Sequence, residues 1–421
     1  MKKQLLMVAV VLFVATMTVS ADTYPEFFYP KASFRPISAR SEAMGGAGLA
    51  TAIGNDAFFI NPANLADRRF SLNLPTVTLS VYNPKGIVDS TLLDDVQAPG
   101  DWADITIDAI DTYLDLVEAG RGEVLTTDVA TSYTIGNFGL GLHVQQQLHT
   151  TSTDGEPGSD AFIAEINLAA SLALGFRIDL VPDVISLDLG ATARAAYKAY
   201  TSQISSQQVL STVGAENNPF DDLLTNEQLA AGWAFPIDAG ANLNLPLGFR
   251  ISAVARNLSC EYALYDYSEL GIGLNNILRF VGVDPVYEDL DTEATKTAFT
   301  YEVPWTLDLG LGWTPRSGSL ARRFKPAFAV DLVDFLGILE SGVTTVEDLT
   351  SRLQAGVELQ LLSLLDIRAG VSRNYRSFGV GFDLILVHVD ASYYWTDFGD
   401  ASGEKPVDAL TVRVNLGVDG L

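Results

Sequence analysis

Histidine and cysteine, the side chains most often used in nucleophilic or metal chemistry, are rare in this sequence. The 421 residues include three histidines, His143, His149 and His388, and one cysteine, Cys260. On one strand face, His143 and His149 would lie about 20 Å apart at a rise of ~3.3 Å per residue, too far to share a metal ion. No local arrangement of serine, histidine and acid indicates a hydrolase. The sequence therefore predicts no enzyme, no metal site and no cofactor.

A glycine-rich stretch, AMGGAGLA over residues 43–50, invites comparison with phosphate-binding loops. A dinucleotide site needs GxGxxG at the start of a helix, and a P-loop needs GK followed by Ser or Thr. Neither pattern is present, so we predict no nucleotide site.

The charge balance excludes a further class of partner. The chain carries 52 acidic and 26 basic residues, a formal charge of −26. Nucleic-acid binding needs a basic surface, so no nucleic-acid partner is expected. The acids cluster at 93–95, 220–222 and 288–291 without calcium-loop spacing, which favours solvated loops.

The first residues have the features of a cleaved secretion signal. Lys2 and Lys3 precede an apolar run over residues 5–14, and Val19-Ser20-Ala21 fits a cleavage site with small residues. We predict a signal peptide over residues 1–21 and export to the outer membrane of a two-membraned bacterium.

From residue 124 onward, apolar and polar residues alternate in short segments, as in membrane barrels. In the clearest segment the apolar residues take every second position from Tyr301 to Trp313, with Glu302, Thr306 and Asp308 between them. Because side chains alternate faces along a strand, we assign the apolar face to lipid and the polar face to the lumen. The predicted fold is all-β, a transmembrane antiparallel barrel of about fourteen strands over residues 71–421. A soluble β-sandwich or propeller is the alternative.

The predicted connections differ in length between the two ends of the barrel. Tight turns are expected near residues 136–139, 246–248, 363 and 386, and long loops between them. Short turns on the periplasmic side and long loops outside are typical of outer-membrane barrels. Two of the long loops show helical periodicity, over residues 104–118 and 268–281.

Residues 37–66 resemble the N-terminal plug, or hatch, of the FadL family of outer-membrane channels for long-chain fatty acids and other hydrophobic compounds. The matching motifs are, in order, Met44 to Gly48, the acidic turn Asn55-Asp56, and Asn61-Pro62-Ala63. Farther along, Gly356-Val357-Glu358 and Arg368-Ala369-Gly370 resemble FadL-like proteins of spirochaetes. The resemblance implies that residues 22–70 form a plug inside the barrel. It also implies that the barrel-assembly machinery inserts the barrel among the lipids of the outer membrane.

The resemblance also implies passive uptake of a long-chain fatty acid or a similar apolar ligand. The ligand would first contact apolar side chains of an outer loop, its carboxylate would meet a lumenal cation, the plug would move, and a kinked third strand would provide a lateral exit. The outer-loop candidates are Leu270, Leu274, Ile277 and Leu278. The cations are Arg194, Lys198 and Arg256, which face the lumen in the predicted topology. The gating residues are Gly45, Gly46, Gly48, Asn61, Pro62 and Ala63, and the exit residues are Gly139 and Gly141.

A second function remains open at this point. Some FadL-like barrels, of the PorV type, dock secreted proteins and do not transport fatty acids. A lumen sealed by ion pairs would suit such a scaffold, whereas a continuous apolar tunnel would suit a channel.

Overall fold

A computed structural model describes the barrel and most of the plug. The described residues are 34–67, 70–89, 122–152, 160–201, 204–205, 229–267, 272, 275, 284, 297–315, 317–340, 346–361, 364–372, 375–384, 386–397 and 406–419. The predicted signal peptide and the predicted helix at 104–118 lie outside these residues. So do all four outer-loop candidates, Leu270, Leu274, Ile277 and Leu278.

The strands form one antiparallel sheet that closes on itself, because β1 pairs with both β2 and β18. The sheet contains 18 hydrogen-bonded segments. They are β1 (Ser71–Tyr82), β2 (Gly122–Ile135), β3 (Phe138–Ser152), β4 (Asp160–Val181), β5 (Ile185–Thr201), β6 (Ile204–Ser205), β7 (Leu229–Ala234), β8 (Ile237–Asn244), β9 (Phe249–Leu258), β10 (Glu261–Tyr267), β11 (Thr297–Glu302), β12 (Thr306–Trp313), β13 (Ala327–Leu332), β14 (Leu353–Leu361), β15 (Leu365–Ser372), β16 (Tyr375–Leu384), β17 (Val387–Asp397) and β18 (Pro406–Asp419).

Three pairs of these segments are single strands with an interruption, namely β7 with β8, β9 with β10, and β11 with β12. The two-residue segment β6 only adds to the edge of β4. The wall therefore has fourteen strands, and the predicted antiparallel barrel is confirmed.

Alternation along the strands explains why the sheet forms and closes. On β5, Asp188 and Thr192 are fully buried on the inner face, while Ala191 and Ala193 are exposed on the outer face. On neighbouring β4, Leu174 and nearby apolar residues project outward, with Leu174 51% exposed. An outer face of exposed apolar side chains fits the hydrocarbon of a bilayer, where a closed barrel satisfies its own backbone hydrogen bonds.

One predicted strand face is wrong. The alternation from Tyr301 to Trp313 predicted a single lipid-facing row, but β11 and β12 are separated by residues 303–305. The interruption reverses the faces, so that Phe299 and Val303 are buried, each 4% exposed, whereas Trp305 is 50% exposed. Because successive side chains alternate faces, an irregular segment that shifts the strand by one residue moves every following side chain to the other face. The lumen therefore gains apolar side chains that the pattern assigned to lipid.

The two ends of the barrel differ as the sequence predicts, with two exceptions. At the inner end, two to four residues separate β2 from β3, β4 from β5, β8 from β9, β14 from β15 and β16 from β17. The exception there is the longer connection between β12 and β13. At the outer end the separations are long, except that only two residues separate β15 from β16.

Short helices occupy the plug and the connections. They are α1 (Ala39–Ala43), α2 (Ala57–Ile60), α3 (Pro84–Asp89), α4 (Gly318–Phe324), α5 (Phe335–Glu340) and α6 (Val346–Ser351), with 3-10 turns at Gly54–Asp56, Pro62–Asp67 and Pro246–Gly248. Among the described residues, no helix is both long and apolar enough to cross a membrane.

Residues 34–67 lie inside the barrel. The segment is almost wholly buried, and it contacts β4, β5 and β8 on one side and β15, β16 and β17 on the other. We call this segment the plug. The full predicted extent of the plug, residues 22–70, includes positions outside the described residues.

Candidate functional site: the plugged lumen

Glycines on the inner face of the wall make room for the plug. An added Cβ at Gly190 of β5 would lie 2.3 Å from the carbonyl carbon of Pro62. At Gly240 of β8 it would lie 2.1 Å from Oδ1 of Asn61. Because real Cβ atoms do not approach other atoms so closely, any larger residue at either position would displace the Asn61-Pro62-Ala63 motif.

The glycine run of the plug meets a second set of strands. Gly45 adopts a φ of +68°, a conformation that residues with side chains rarely adopt, and an added Cβ would lie 2.6 Å from the Val371 carbonyl oxygen of β15. Gly48 donates its backbone N–H to Oδ2 of Asp331 on β13 at 2.6 Å, and Leu49 donates to the same oxygen at 2.9 Å. This part of the plug is therefore fixed by backbone contacts.

Asn61 links the two parts of the plug to the wall. Its fully buried side chain donates to the Leu49 carbonyl at 2.9 Å and to Oδ1 of Asn242 on β8 at 2.7 Å. Its Oδ1 accepts the N–H of Ala63 at 3.0 Å. The Asn61 side chain thus connects two of the predicted gating residues, Asn61 and Ala63, with Leu49, which follows Gly48 in the chain. Gating of the lumen by these residues stays a prediction.

Ion pairs join the plug to the inner half of the wall. Arg40 contacts Glu358 at 2.7 Å, and Asp56 contacts Arg413 at 2.9 Å. Asp67 contacts Arg177 at 2.7 Å and Arg250 at 3.1 Å. The sequence analysis singled out neither Asp67 nor the two arginines that hold it, because partners so distant along the chain leave no local pattern.

The plug carboxylates have lowered pKa values. Burial alone would raise the pKa of Asp56, but Arg413 and the Ser38 hydroxyl outweigh it and lower the pKa below its ordinary 3.8. Burial also opposes ionisation of Asp67, and Arg250 and Arg177 again lower its pKa. Both groups are therefore more acidic with the plug docked.

Beneath the plug, a cavity of about 520 Å³ faces the inner end of the barrel. Its lining is strongly charged and includes Arg40, Asp56, Asp67, Arg250, Glu358, Asp366, Arg368, Asp390 and Arg413. Polar walls and open access suit water and ions, and not an apolar molecule.

The outer half of the lumen has a different lining, which we call the apolar cluster. It lies on strands β4, β5, β7, β10 and β11 and on the residues that interrupt the wall beside them. Its members are Ile163, Ala196, Tyr200, Ala230, Ala234, Cys260, Tyr262, Leu264, Phe299 and Val303. All are buried in the described structure.

The three predicted ligand cations lie in the lumen, but each already contacts a carboxylate of the wall. Arg194 contacts Asp238 at 2.5 Å, Lys198 contacts Glu165 at 2.6 Å, and Arg256 contacts Asp308 at 2.5 Å. Arg256 also donates to the carbonyls of Phe59 and Ile60 in the plug. An incoming carboxylate would have to compete with these partners.

Arg35, a plug arginine that was not among the predicted ligand cations, lies in a different setting. Arg35 lies inside the barrel with its side chain exposed to the lumen, and in the described part of the chain its guanidinium makes no ion pair. The surrounding barrel limits its contact with bulk water and, together with the positive charge of Arg256, lowers the pKa of Arg35 from its ordinary 12.5. The sequence could not distinguish Arg35 from Arg40, which forms an ion pair, because pairing depends on which carboxylate of the barrel wall lies opposite each arginine.

His143 belongs to an aromatic group beside Arg35. Its ring lies 4.5 Å from that of Phe59 and 6.2 Å from that of Phe34, measured between centroids. Both ring nitrogens are buried without a hydrogen-bond partner among the described residues. His143 therefore fills space against the plug.

The predicted exit strand, β3, is regular. It pairs with β2 and with β4 along its whole length, and the single register shift in these two ladders falls on β2. Gly139 and Gly141 provide a recess for the Phe58 ring, since an added Cβ would lie 2.5 Å and 3.1 Å from it. The expected kink in this strand is absent from this conformation, and a lateral exit at these glycines stays a prediction.

Known structures similar to this chain include FadL-family channels. CymD, a monoaromatic hydrocarbon channel, is 12% identical with a TM-score of 0.46, over 90% of this chain and 97% of that one. A FadL homologue of Pseudomonas aeruginosa is 14% identical with a TM-score of 0.42, over 90% and 98%. The toluene transporter TodX of P. putida is 12% identical with a TM-score of 0.43, over 91% and 98%. No family model and no curated protein sequence matches the chain.

Proposed function

We propose that this protein is an outer-membrane channel for passive uptake of hydrophobic molecules, with long-chain fatty acids as the first candidate ligands. The signal peptide would direct export and be removed. The chain would act by binding and release without covalent chemistry.

The apolar cluster carries this proposal. A lumen that served only polar solutes would gain nothing from burying Tyr262, Leu264 and Phe299 inside the barrel, where polar side chains face water in porins. Apolar ligands bind in cavities lined by apolar and aromatic side chains with a few polar groups. The outer half of the lumen has this composition, and it lies on the side where an external ligand arrives.

The ligand head group would meet the plug. Since Arg194, Lys198 and Arg256 are each paired with a wall carboxylate, Arg35 is the better candidate to contact a carboxylate. It lines a small pocket of about 20 Å³ together with Phe59 and His143, and this pocket would have to widen as the plug moves before it could hold an alkyl chain.

Onward movement requires the plug to rearrange. The plug separates the apolar cluster from the charged inner cavity, and Asn61 joins both of its parts to β8. Replacing Asn61 with alanine removes these bonds without adding volume. We expect slower uptake with normal membrane insertion.

The test is uptake of radiolabelled long-chain fatty acid by a two-membraned bacterial host that lacks its own route for it. Leu264→Asn puts a polar group into the apolar cluster and should lower uptake at least about tenfold, since the ligand loses apolar contact. The matched control is Tyr265→Asn, one residue along the same strand and 41% exposed on the outer face. Equal uptake by both variants, with equal amounts of heat-modifiable barrel, would contradict the proposal.

A scaffold that docks secreted proteins is the second candidate. The pairing of Arg194, Lys198 and Arg256 with wall carboxylates favours this scaffold, because ion pairs between strands hold the barrel wall rigid and hinder passage of a ligand. Uptake by wild type at the level of the empty host would decide for the scaffold.

A further inference from the structure

Three neighbouring strands of the barrel wall are interrupted at the same level. Residues 235–236 separate β7 from β8, residues 259–260 separate β9 from β10, and residues 303–305 separate β11 from β12. Below this level β9 lies between β8 and β12, and above it β10 lies between β7 and β11. The interruptions therefore lie side by side.

The middle strand loses its ladder on both edges. Facing β7 and β8, pairing stops at Leu258 with Ile237 and resumes only at Ala263 with Trp233. On the other edge it stops at Arg256 and resumes at Glu261. Ser259 and Cys260 have no ladder partner on either side.

The local sequence explains the interruption. Asn257 and Ser259 have left-handed φ values of 57° and 58°, which no regular strand allows. Pro236 has no N–H to donate to the ladder. One backbone bond spans the gap towards β11, from the Val303 N–H to the Cys260 carbonyl at 2.9 Å.

Apolar side chains lie on both faces of the wall at this level, although Ser259, Glu261 and Glu302 are also exposed there. Ala234, Cys260 and Val303 belong to the apolar cluster inside and are at most 4% exposed. On the outer face, Phe235 is 47% exposed and Trp305 is 50% exposed. Apolar side chains therefore lie on both sides of a part of the wall that has lost most of its backbone hydrogen bonds.

Side chains replace the missing ladder. Both carboxylate oxygens of Asp238 accept from Arg194, at 2.5 Å and 3.1 Å. Asp238 Oδ1 also accepts the backbone N–H of Asn257 at 2.9 Å. One backbone bond assists them, from the main-chain N–H of Arg194 to the Pro236 carbonyl at 3.0 Å. These groups connect β5, β8 and β9 at the lower edge of the interruption.

We propose that the interruption is a side opening through which an apolar ligand passes between the apolar cluster and the membrane, and that Arg194, Asp238 and Asn257 form the latch that holds it closed. The opening would serve the channel proposed above and rests on that function. It lies several strands away from Gly139 and Gly141, where the ladder is continuous. Arg194 then acts on the wall and not on a ligand carboxylate.

Cys260, the single cysteine of the chain, reports on the opening without any engineered label site. The full-length mature protein is placed in lipid vesicles, and the labelling rate of Cys260 is measured with two maleimides. One carries a long alkyl chain and partitions into the bilayer, and the other is charged and stays in water. The measurement needs no transported ligand, so its outcome is independent of whether fatty acid is taken up.

Asp238→Ala should raise the rate with the alkyl maleimide at least about tenfold, because the latch loses its central acceptor. Asp238→Asn, which keeps the size and one acceptor oxygen, should raise it about threefold and is the milder variant if Asp238→Ala does not fold. Asp188→Ala is the matched control, since Asp188 is a buried acid on β5 that contacts Arg177 far from the interruption.

An unchanged rate in both Asp238 variants would overturn the latch. An equal rise with the charged maleimide would overturn the side opening, because Cys260 would then be reached from a loosened lumen. A rise confined to the alkyl maleimide and absent from Asp188→Ala is the result that supports the proposal.

Discussion

The outer and inner halves of the lumen differ in whether their ion pairs include the plug. In the outer half the pairs join one strand to another, as with Arg194 and Asp238 or Lys198 and Glu165. In the inner half some pairs also join strands, as with Arg368 and Asp390, but others join the plug to the wall, as with Arg40 and Glu358. A charge satisfied within the wall leaves the lumen free for an apolar ligand, whereas a charge shared with the plug keeps the plug in place. The two halves are therefore organised for binding and for closure.

The largest expected effect comes from filling the space that the plug occupies. Gly190→Leu should displace the plug, because the side chain would overlap Pro62 and overpacking costs roughly 1–3 kcal/mol or more. The plug would become sensitive to protease, and single-channel ion conductance would rise. Ala191→Leu, one residue along and exposed on the outer face, should change neither. Unchanged low conductance in Gly190→Leu would mean that the plug does not need a glycine at this position to dock.

A smaller effect should follow from cutting one bond between plug and wall. Arg40→Ala leaves Glu358 with Arg368, which contacts it at 2.6 Å, so we expect a loss of about 1–3 kcal/mol in plug docking. Plug protection against protease, followed across urea concentrations, measures this loss. Lys198→Met breaks a pair within the wall and should leave plug protection unchanged. An equal loss of plug protection in Arg40→Ala and Lys198→Met would show that ion pairs of both halves stabilise the docked plug alike.

The pH dependence of closure tests the same distinction. Asp56 and Asp67 have pKa values below their ordinary 3.8 with the plug docked, so the docked state binds fewer protons. Their contribution is complete above the ordinary pKa and is lost as the pH falls through the lowered values. Conductance should therefore stay low from neutral pH to about pH 4 and rise below it. Asp56→Asn should weaken this pH dependence. If the conductance of the wild-type protein already rose near neutral pH, the prediction would be wrong.

The smallest effect concerns ligand choice in the outer half. Arg35→Gln should lower binding of a long-chain fatty acid about threefold to tenfold and leave the matched long-chain alcohol unchanged, since only the acid carries a charge. Competition against a fluorescent apolar probe on the purified protein measures both. Arg322→Gln, in the exposed helix α4, is the control. Parallel loss of acid and alcohol would assign Arg35 to packing.

Much of the fold could be predicted from the sequence because residues of a barrel strand face lipid and lumen in turn, so apolar and polar residues alternate along it. On β5, for example, Asp188, Thr192 and Arg194 alternate with apolar residues, and all three are buried on the lumenal face. The predicted lipid-facing row was wrong at Val303, because the strand is interrupted between Val303 and Trp305. The apolar and polar residues still alternate in the sequence there, so the pattern does not reveal the interruption. The lumenal placement of Arg194, Lys198 and Arg256 was correct, but their pairing was not foreseen.

The sequence by itself determined the number and order of the strands, the end with most of the short turns, and the motifs of the plug, because each depends on residues close together along the chain. The tertiary structure decided which charges meet, where the apolar cluster lies and where the wall is interrupted. These features depend on residues such as Arg40 and Glu358, which are 318 positions apart and meet only when the sheet closes around the plug. Closure sets the register between distant strands, and no local pattern carries that information.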